Sequence, residues 1–252
     1  MSNQQSNIVI PLKLADHCCR LEMAWIPSGR FEMDNNGRVD TKVHPDPTGR
    51  FEVVFPKGYW LGVYTVTQCQ WEAVIGDNPS HFKGANLPVE MVSWEDAVDF
   101  CDRIQEFTSS IPNGYSFSLP TEAQWEYACR SGSTHKYQIG DDIAHLARIA
   151  WYRENIPQLS TQIVGQKEPN LWGLYDMLGN VLEWCLDGPT DYPDNEVHTD
   201  WVGRIGGPVR NLRGGRAWDY SIDALTCGAK MYTGTEPNKF FGFRLCLRHS
   251  EI

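Results

Sequence analysis

The chain has no apolar run approaching the roughly 20 residues that span a bilayer. Its start, Met1-Ser2-Asn3-Gln4-Gln5-Ser6-Asn7, has neither the basic nor the apolar region of a secretion signal. Clustered lysine and arginine are also missing: 22 basic against 32 acidic residues leave a net charge of -10, which repels a phosphate backbone. Membrane and nucleic acid are therefore set aside as main partners, and a cytoplasmic location is expected. No Gly-x-Ser-x-Gly, P-loop or dinucleotide fingerprint occurs. The histidines at 17, 44, 81, 135, 145, 198 and 249 contain no i, i+4 pair and the cysteines no Cys-x-x-Cys, so no local zinc site is legible. Cysteine itself is irregularly spaced, at positions 18, 19, 69, 101, 129, 185, 227 and 246, and without a secretion signal these are expected as reduced thiols.

What is present is enough apolar content, 41% of 252 residues, to bury one substantial core. We expect a single α+β domain over residues 21–250 with an N-terminal extension at 1–20. Alternating runs Leu21 to Ile26, Phe51 to Phe55 and Tyr59 to Tyr64 predict strands, with a polar, turn-rich stretch from Asp34 to Gly49 between the first two. Three capping boxes predict helices: Thr67 with Gln70 opens 68–75, closed by Gly76, and Ser93 with Asp96 opens one reaching about Ser109. Thr121 with Gln124 opens a third, which turns Trp125, Ala128 and Cys129 inward. Cys101 and Cys129 fall on apolar faces and read as small core residues. The second half, rich in Gly, Pro and Trp, predicts loops with short strands near 163–165, 181–185, 210–213 and 243–248.

Ordered motifs run through the chain: Tyr59-Trp60-Leu61-Gly62, Asn78-Pro79-Ser80, Leu87-Pro88-Val89, Val92-Ser93-Trp94, Leu119-Pro120-Thr121-Glu122-Ala123-Gln124-Trp125-Glu126, Gly173-Leu174-Tyr175-Asp176-Met177-Leu178-Gly179-Asn180-Val181, Arg213-Gly214-Gly215 and Gly242-Phe243-Arg244-Leu245. Together they resemble the formylglycine-generating-enzyme-like, or sulfatase-modifying-factor, family over about residues 22–247. The resemblance implies a C-type-lectin-like fold. The family joins copper-dependent oxidases, domains that partner iron-dependent sulfoxide synthases, pyoverdine-maturation proteins and the ligand-binding variable proteins of diversity-generating retroelements. Fold alone does not choose among them.

The oxidases carry a serine after the double glycine, then two cysteines that bind Cu(I). Here the serine position is Arg216 and the cysteine positions are Asp219 and Ala224; a one-residue shift gives Tyr220 and Leu225. Cys227 is the one thiol in the segment and a weak catalytic candidate, either as a packing residue or paired with Cys246. Bound copper or iron is not expected. The resemblance further implies a calcium site at Asp176, Gly179, Val181 and Glu183, with two side chains and two backbone carbonyls as oxygen ligands. The family's second calcium site, near Arg148 to Asn155, is not carried over. The divergent segment 216–241 corresponds to the ligand-facing surface of the variable proteins, and Arg216, Trp218, Asp219, Tyr220, Tyr232, Thr233, Glu236 and Phe240 are its candidate contacts, since Trp and Tyr give large contact area at low entropic cost. A protein or peptide partner is the expected ligand. The alternatives are a metal-dependent oxidase and a non-catalytic subunit of a metalloenzyme.

Overall fold

The computed structural model describes residues 6–13, 18–34, 50–108, 111–190, 196–219 and 222–250. The chain opens with β1 (Ile8–Lys13) and β2 (Cys18–Ile26), which pair antiparallel with Ile10 opposite Leu21. Residues ahead of position 21 thus contribute a full strand to the main sheet. β3 (Gly29–Asp34) and β4 (Arg50–Phe55) form an antiparallel pair, and β5 (Tyr59–Gly62) then docks on β2.

The helices form where the capping boxes place them. α1 (Gln68–Ile75) has both reciprocal bonds between Thr67 and Gln70 and ends at Gly76 in the left-handed region. α2 (Trp94–Ile104) has the same box at Ser93 and Asp96, and one 3-10 turn, Gln105–Phe107, finishes it short of the expected Ser109, which lies outside the described residues. After β6 (Tyr115–Ser118) comes α3 (Glu122–Arg130), capped by Thr121 and Gln124 and terminated by Ser131 at φ 45°. Then follow α4 (Leu146–Ile149), β7 (Ala150–Trp151), β8 (Leu178–Gly179), β9 (Leu182–Trp184), β10 (Val197–Thr199), β11 (Arg210–Arg213), β12 (Lys230–Thr233), β13 (Phe241–Gly242) and β14 (Cys246–His249).

The main sheet runs β1-β2-β5-β14-β6, so the last strand is seated in the middle of it. Period-two alternation divides its side chains between two cores. Met23, Trp60, Phe117 and Leu247 face the core shared with α1 and α2, where Trp71 and Phe100 stack at 5.4 Å. Ala24, Ile26, Tyr59, Leu61 and Cys246 face the core that holds Trp125, Ala128 and Cys129 of α3. A smaller sheet, β12-β11-β9-β13, carries the second half of the chain. No strand forms at 163–165. There Val164 donates to the Asn86 carbonyl and Gly165, at φ 73°, donates to the Asp176 carboxylate, so the segment is fixed by single bonds to different partners.

Cys101, Cys129, Cys185, Cys227 and Cys246 are buried thiols, but Cys19 and Cys69 form a disulfide that ties β2 to α1 across 50 residues. This corrects the expectation of uniformly reduced cysteines and removes the thiol half of the argument for a cytoplasmic location. Apolar pairing of β2 with the α1 face brings the two sulfurs together, which sequence spacing does not reveal. Closing a loop of that length constrains the unfolded chain, so reduction, or Cys19→Ser, is expected to lower stability by about 2–4 kcal/mol. Urea unfolding with and without reductant measures this, and an unchanged midpoint would show that the bridge contributes nothing.

Candidate functional site

The run from Asn170 to Trp184 is pinned before it reaches any ligand. Asn170 donates to the carbonyls of Ala128 and Cys129 at 2.7 and 3.2 Å, and its Oδ1 accepts from the Trp172 and Leu174 amides. Asp176, Gly179 and Asn180 all adopt positive φ (53°, 81° and 62°), so the chain winds tightly through the proposed cation-binding positions. Gly179 has no substitute here, because a Cβ would stand 2.1 Å from the Trp151 carbonyl oxygen.

Asp176 and Glu183 are both buried, in different circumstances. Glu183 is engaged: Arg244 binds it through two nitrogens at 2.7 Å each, and Trp125 Nε1 donates to Oε2 at 2.6 Å. Asp176 Oδ2 accepts from the Gly165 amide, whereas its Oδ1 is buried with no hydrogen-bond partner. An unsatisfied, buried carboxylate oxygen fits a hard cation. Glu183 offers only the lone pairs that Arg244 and Trp125 leave. Among the described residues no group of three or more His, Cys, Asp or Glu is placed to hold an ion, so any cation here would depend on backbone carbonyls as well. Burial raises the Asp176 carboxyl to about 6; the Gly165 amide and the Arg244 charge pull it down, and the Glu183 charge adds to the rise.

The 216–241 segment is attached to this run by the Ala217 amide, which donates to the Asn180 carbonyl at 2.9 Å. Its far end is held where Trp94 and Met91 amides donate to the carbonyls of Thr235 and Asn238. Trp218 is half-buried, with the Arg153 guanidinium 5.0 Å and the Lys239 ammonium 5.4 Å from its rings. Phe240 lies 5.4 Å from Trp218 and is itself buried, so it supports the indole from below. Tyr232 and Thr233 are half-buried on β12 and Glu236 is exposed, while Tyr220 lies outside the described residues.

Between this segment and β9 lies a half-open cavity of about 60 Å³, lined by Leu182, Gly215, Arg216, Asp219, Ala224, Ala229, Lys230 and Met231. Asp219 and Ala224, the positions that match the copper cysteines, line it together, which selects that register over the shifted one. Asp219 accepts from the Arg216 amide and pairs with its Nε at 2.9 Å. Gly215, at φ 73°, lets the chain pass the Ala224 carbonyl, which a Cβ would meet at 2.7 Å. Cys227 is fully buried and hydrogen-bonds the Cys129 thiol, while Cys246 contacts Gln124 Oε1 at 3.8 Å. The pairing of Cys227 with Cys246 considered above is therefore not built.

Sequence reasoning did not single out the charges beneath the cavity. Glu122, Glu126 and Arg130 recur at every fourth position of α3, all nine of whose residues are buried, and that recurrence was the available signal. Arg213 pairs with Glu126 and with Glu122 Oε1 at 3.2 Å, Arg130 pairs with Glu126 at 2.8 Å, and Asn211 donates to Glu122 Oε2 at 3.0 Å. Burial pushes the Glu126 carboxyl up, but Arg213 and Arg130 outweigh it and hold it below its usual range. Arg213 also donates to the Cys227 and Ala229 carbonyls at 3.2 and 3.1 Å, fixing the cavity floor.

The model of the sulfatase-modifying factor enzyme 1-like domain matches residues 15–249. The chain belongs to that family. Treponema denticola variable protein 1 superposes with a TM-score of 0.80 at 28% identity, over 96% of this chain and 99% of that one. The chaperone protein LppX of Paenibacillus barcinonensis is 31% identical over 198 residues, 61% of this chain and 70% of LppX. The formylglycine-generating enzyme of Streptomyces coelicolor is 36% identical over 173 residues, 62% of this chain and 49% of the enzyme, so the chain spans about half that enzyme's length. The sulfatase-modifying-factor resemblance and the C-type-lectin-like α+β fold read from the motifs both hold.

In this family member the buried carboxyls set a pH response. Burial, with the Glu122 charge, raises Asp187 to about 6 against the pull of the Glu122 and Gly203 amides. The folded chain therefore binds more protons than the unfolded chain between about pH 4 and 6, and this contribution to stability is lost as pH rises through that window. Relative to wild type, Asp187→Asn should gain stability from pH 4 to 7 by on the order of 3 kcal/mol, read from urea midpoints. A difference independent of pH would refute the assignment.

Proposed function

We propose that this chain is a recognition protein that binds a protein or peptide partner on the face built by residues 216–241. The observation that carries the reading is the cavity beside Gly215, where Asp219 and Ala224 occupy the positions of the oxidases' thiolate pair. A carboxylate already paired with Arg216 and a methyl group supply no soft ligands for Cu(I). What the face does supply is a half-buried tryptophan on a phenylalanine support, a flanking pair of cations and a small cavity, which is the composition of a binding hot spot. Likeness to a variable protein and to a protein named as a chaperone supports a binding role for this chain as well.

A photo-crosslinking residue at Glu236 should capture a discrete partner in the source cell, and Trp218→Ala should reduce capture by about tenfold or more without unfolding the chain. Equal capture from a residue placed at Arg30, or capture indifferent to Trp218→Ala, would defeat the reading. Metal analysis of the same protein separates the oxidase alternative: stoichiometric copper lost on Cys227→Ala would favour that enzyme.

Calcium is proposed as a structural ion held by the Asp176 and Glu183 carboxylates and the Gly179 and Val181 carbonyls. It would supply charge neutralisation for the buried Asp176 oxygen. Calcium at about 100 times its dissociation constant should stabilise the fold by about 2.7 kcal/mol over chelator-treated protein, and Asp176→Ala should abolish the difference. Indifference of wild type to chelator and calcium alike would remove the assignment. Glu183 is unsuitable for this test because its loss also strands Arg244.

A further inference from the structure

The cavity beside Gly215 combines apolar walls with an imbalance of charge. Leu182, Gly215, Ala224, Ala229 and Met231 form the apolar part, and the charged part counts Arg216 and Lys230 against the single carboxylate of Asp219. Asp219 is engaged by Arg216 through both oxygens, at 2.9 Å from the amide and from Nε. The Lys230 side chain is only 3% exposed, and its ammonium stands 4.0 Å from Glu122 Oε1, beyond hydrogen-bond reach. That same oxygen lies 3.2 Å from Arg213 Nε, so the Glu122 charge is shared with a guanidinium. The cavity thus presents a net positive lining in a chain whose overall charge is -10. A buried ammonium beside an apolar wall favours an anion over water, because charge-assisted bonds strengthen where solvent is thin.

Volume and lining narrow the anion. About 60 Å³ is room for roughly four or five water-sized groups. A carboxylate with its adjoining carbons fills that space, with its oxygens toward Lys230 and Arg216 and its carbons toward Ala224, Ala229, Leu182 and Met231. A phosphate monoester would instead turn oxygen toward the apolar side, where nothing in the lining donates to it.

We propose that this cavity takes a carboxylate and its adjoining carbons from the partner, presented either by an Asp or Glu side chain or by the chain's terminal residue. The inference rests on the recognition reading of the same face and names the chemistry that the face selects. Arg216 and Lys230 are the selecting residues, and the apolar walls set the length of the group.

The test is an amide-resolved NMR titration of the full chain at constant ionic strength with sodium acetate, sodium propionate and neutral acetamide. Three short peptides follow: acetyl-Gly-Gly-Ala as free acid, its amide, and acetyl-Gly-Asp-Gly amide. Acetate and propionate should shift the amides of Gly215, Arg216, Ala224, Ala229, Lys230 and Met231, with acetamide weaker by about tenfold or more. Because Lys230→Met would remove a cation paired with buried Glu122, the variants are Arg216→Gln and Ala229→Leu, the second filling the cavity while keeping both cations. Each should weaken the acetate response by about tenfold with the circular dichroism unchanged. A response to the free acid but not its amide identifies a chain terminus, and a response to the aspartyl peptide identifies a side chain. Equal shifts by acetamide, an acetate response indifferent to both variants, or acetate binding with no response to any carboxylate peptide would overturn the proposal, the last leaving an adventitious additive only. Cross-linking from Glu236 that persists without a cavity response refutes this inference alone, whereas loss of both refutes the recognition reading.

Discussion

Glu183 and Arg244 meet where neither touches solvent, and four parts of the chain depend on that meeting. The guanidinium takes both carboxylate oxygens, donates to the Gly62 carbonyl at the end of β5, and reaches the Tyr175 carbonyl inside the 170–184 run. Trp125 of α3 closes the set by donating to Glu183. One ion pair therefore joins the main sheet, the smaller sheet, the central helix and the tightly wound run. Its net contribution to stability is small, because desolvating both charges offsets most of their attraction, but removing one partner would leave the other stranded at a cost of about 3–5 kcal/mol. That asymmetry makes it a constraint on geometry more than a source of stability.

A second buried network extends the constraint to the recognition face. Arg213 sits on β11 opposite Glu183 of β9, and it holds Glu122 and Glu126 of α3 on one side and the carbonyls of Cys227 and Ala229 on the other. The floor of the cavity is thus tied to the core through charge-assisted bonds, while its outer wall, from Arg216 to Asp219, is tied only to itself and to Asn180. Side chains can change on such an outer wall without disturbing the scaffold, because few backbone groups of the core rely on them. The same division explains how a fold used by oxidases serves here without their thiolates: Asp219 and Ala224 line the same cavity and leave the Arg213 brace intact.

Much of the fold was legible from local chemistry. The three capping boxes fixed three helix starts because each depends on residues three apart, and strand alternation anticipated which side chains of β2 and β5 turn inward. Errors arose where distant segments decide. The 163–165 stretch has the residues of a strand but meets three different partners, and α3 ends at Ser131, before the glycine that marks its end in sequence. Phe240 reads as a contact residue in a divergent segment and proves to be the buried support of Trp218.

The sequence by itself determined the family, the helix starts and the absence of the copper thiolates from their positions, since each is a matter of residue identity at short or fixed spacing. Tertiary structure alone decided that Cys19 bonds Cys69, that Cys227 meets Cys129, and that Lys230 and Arg216 enclose one cavity with Asp219. These are encounters between residues brought together by burial, and burial is a property of the whole packed chain, not of the neighbours along it.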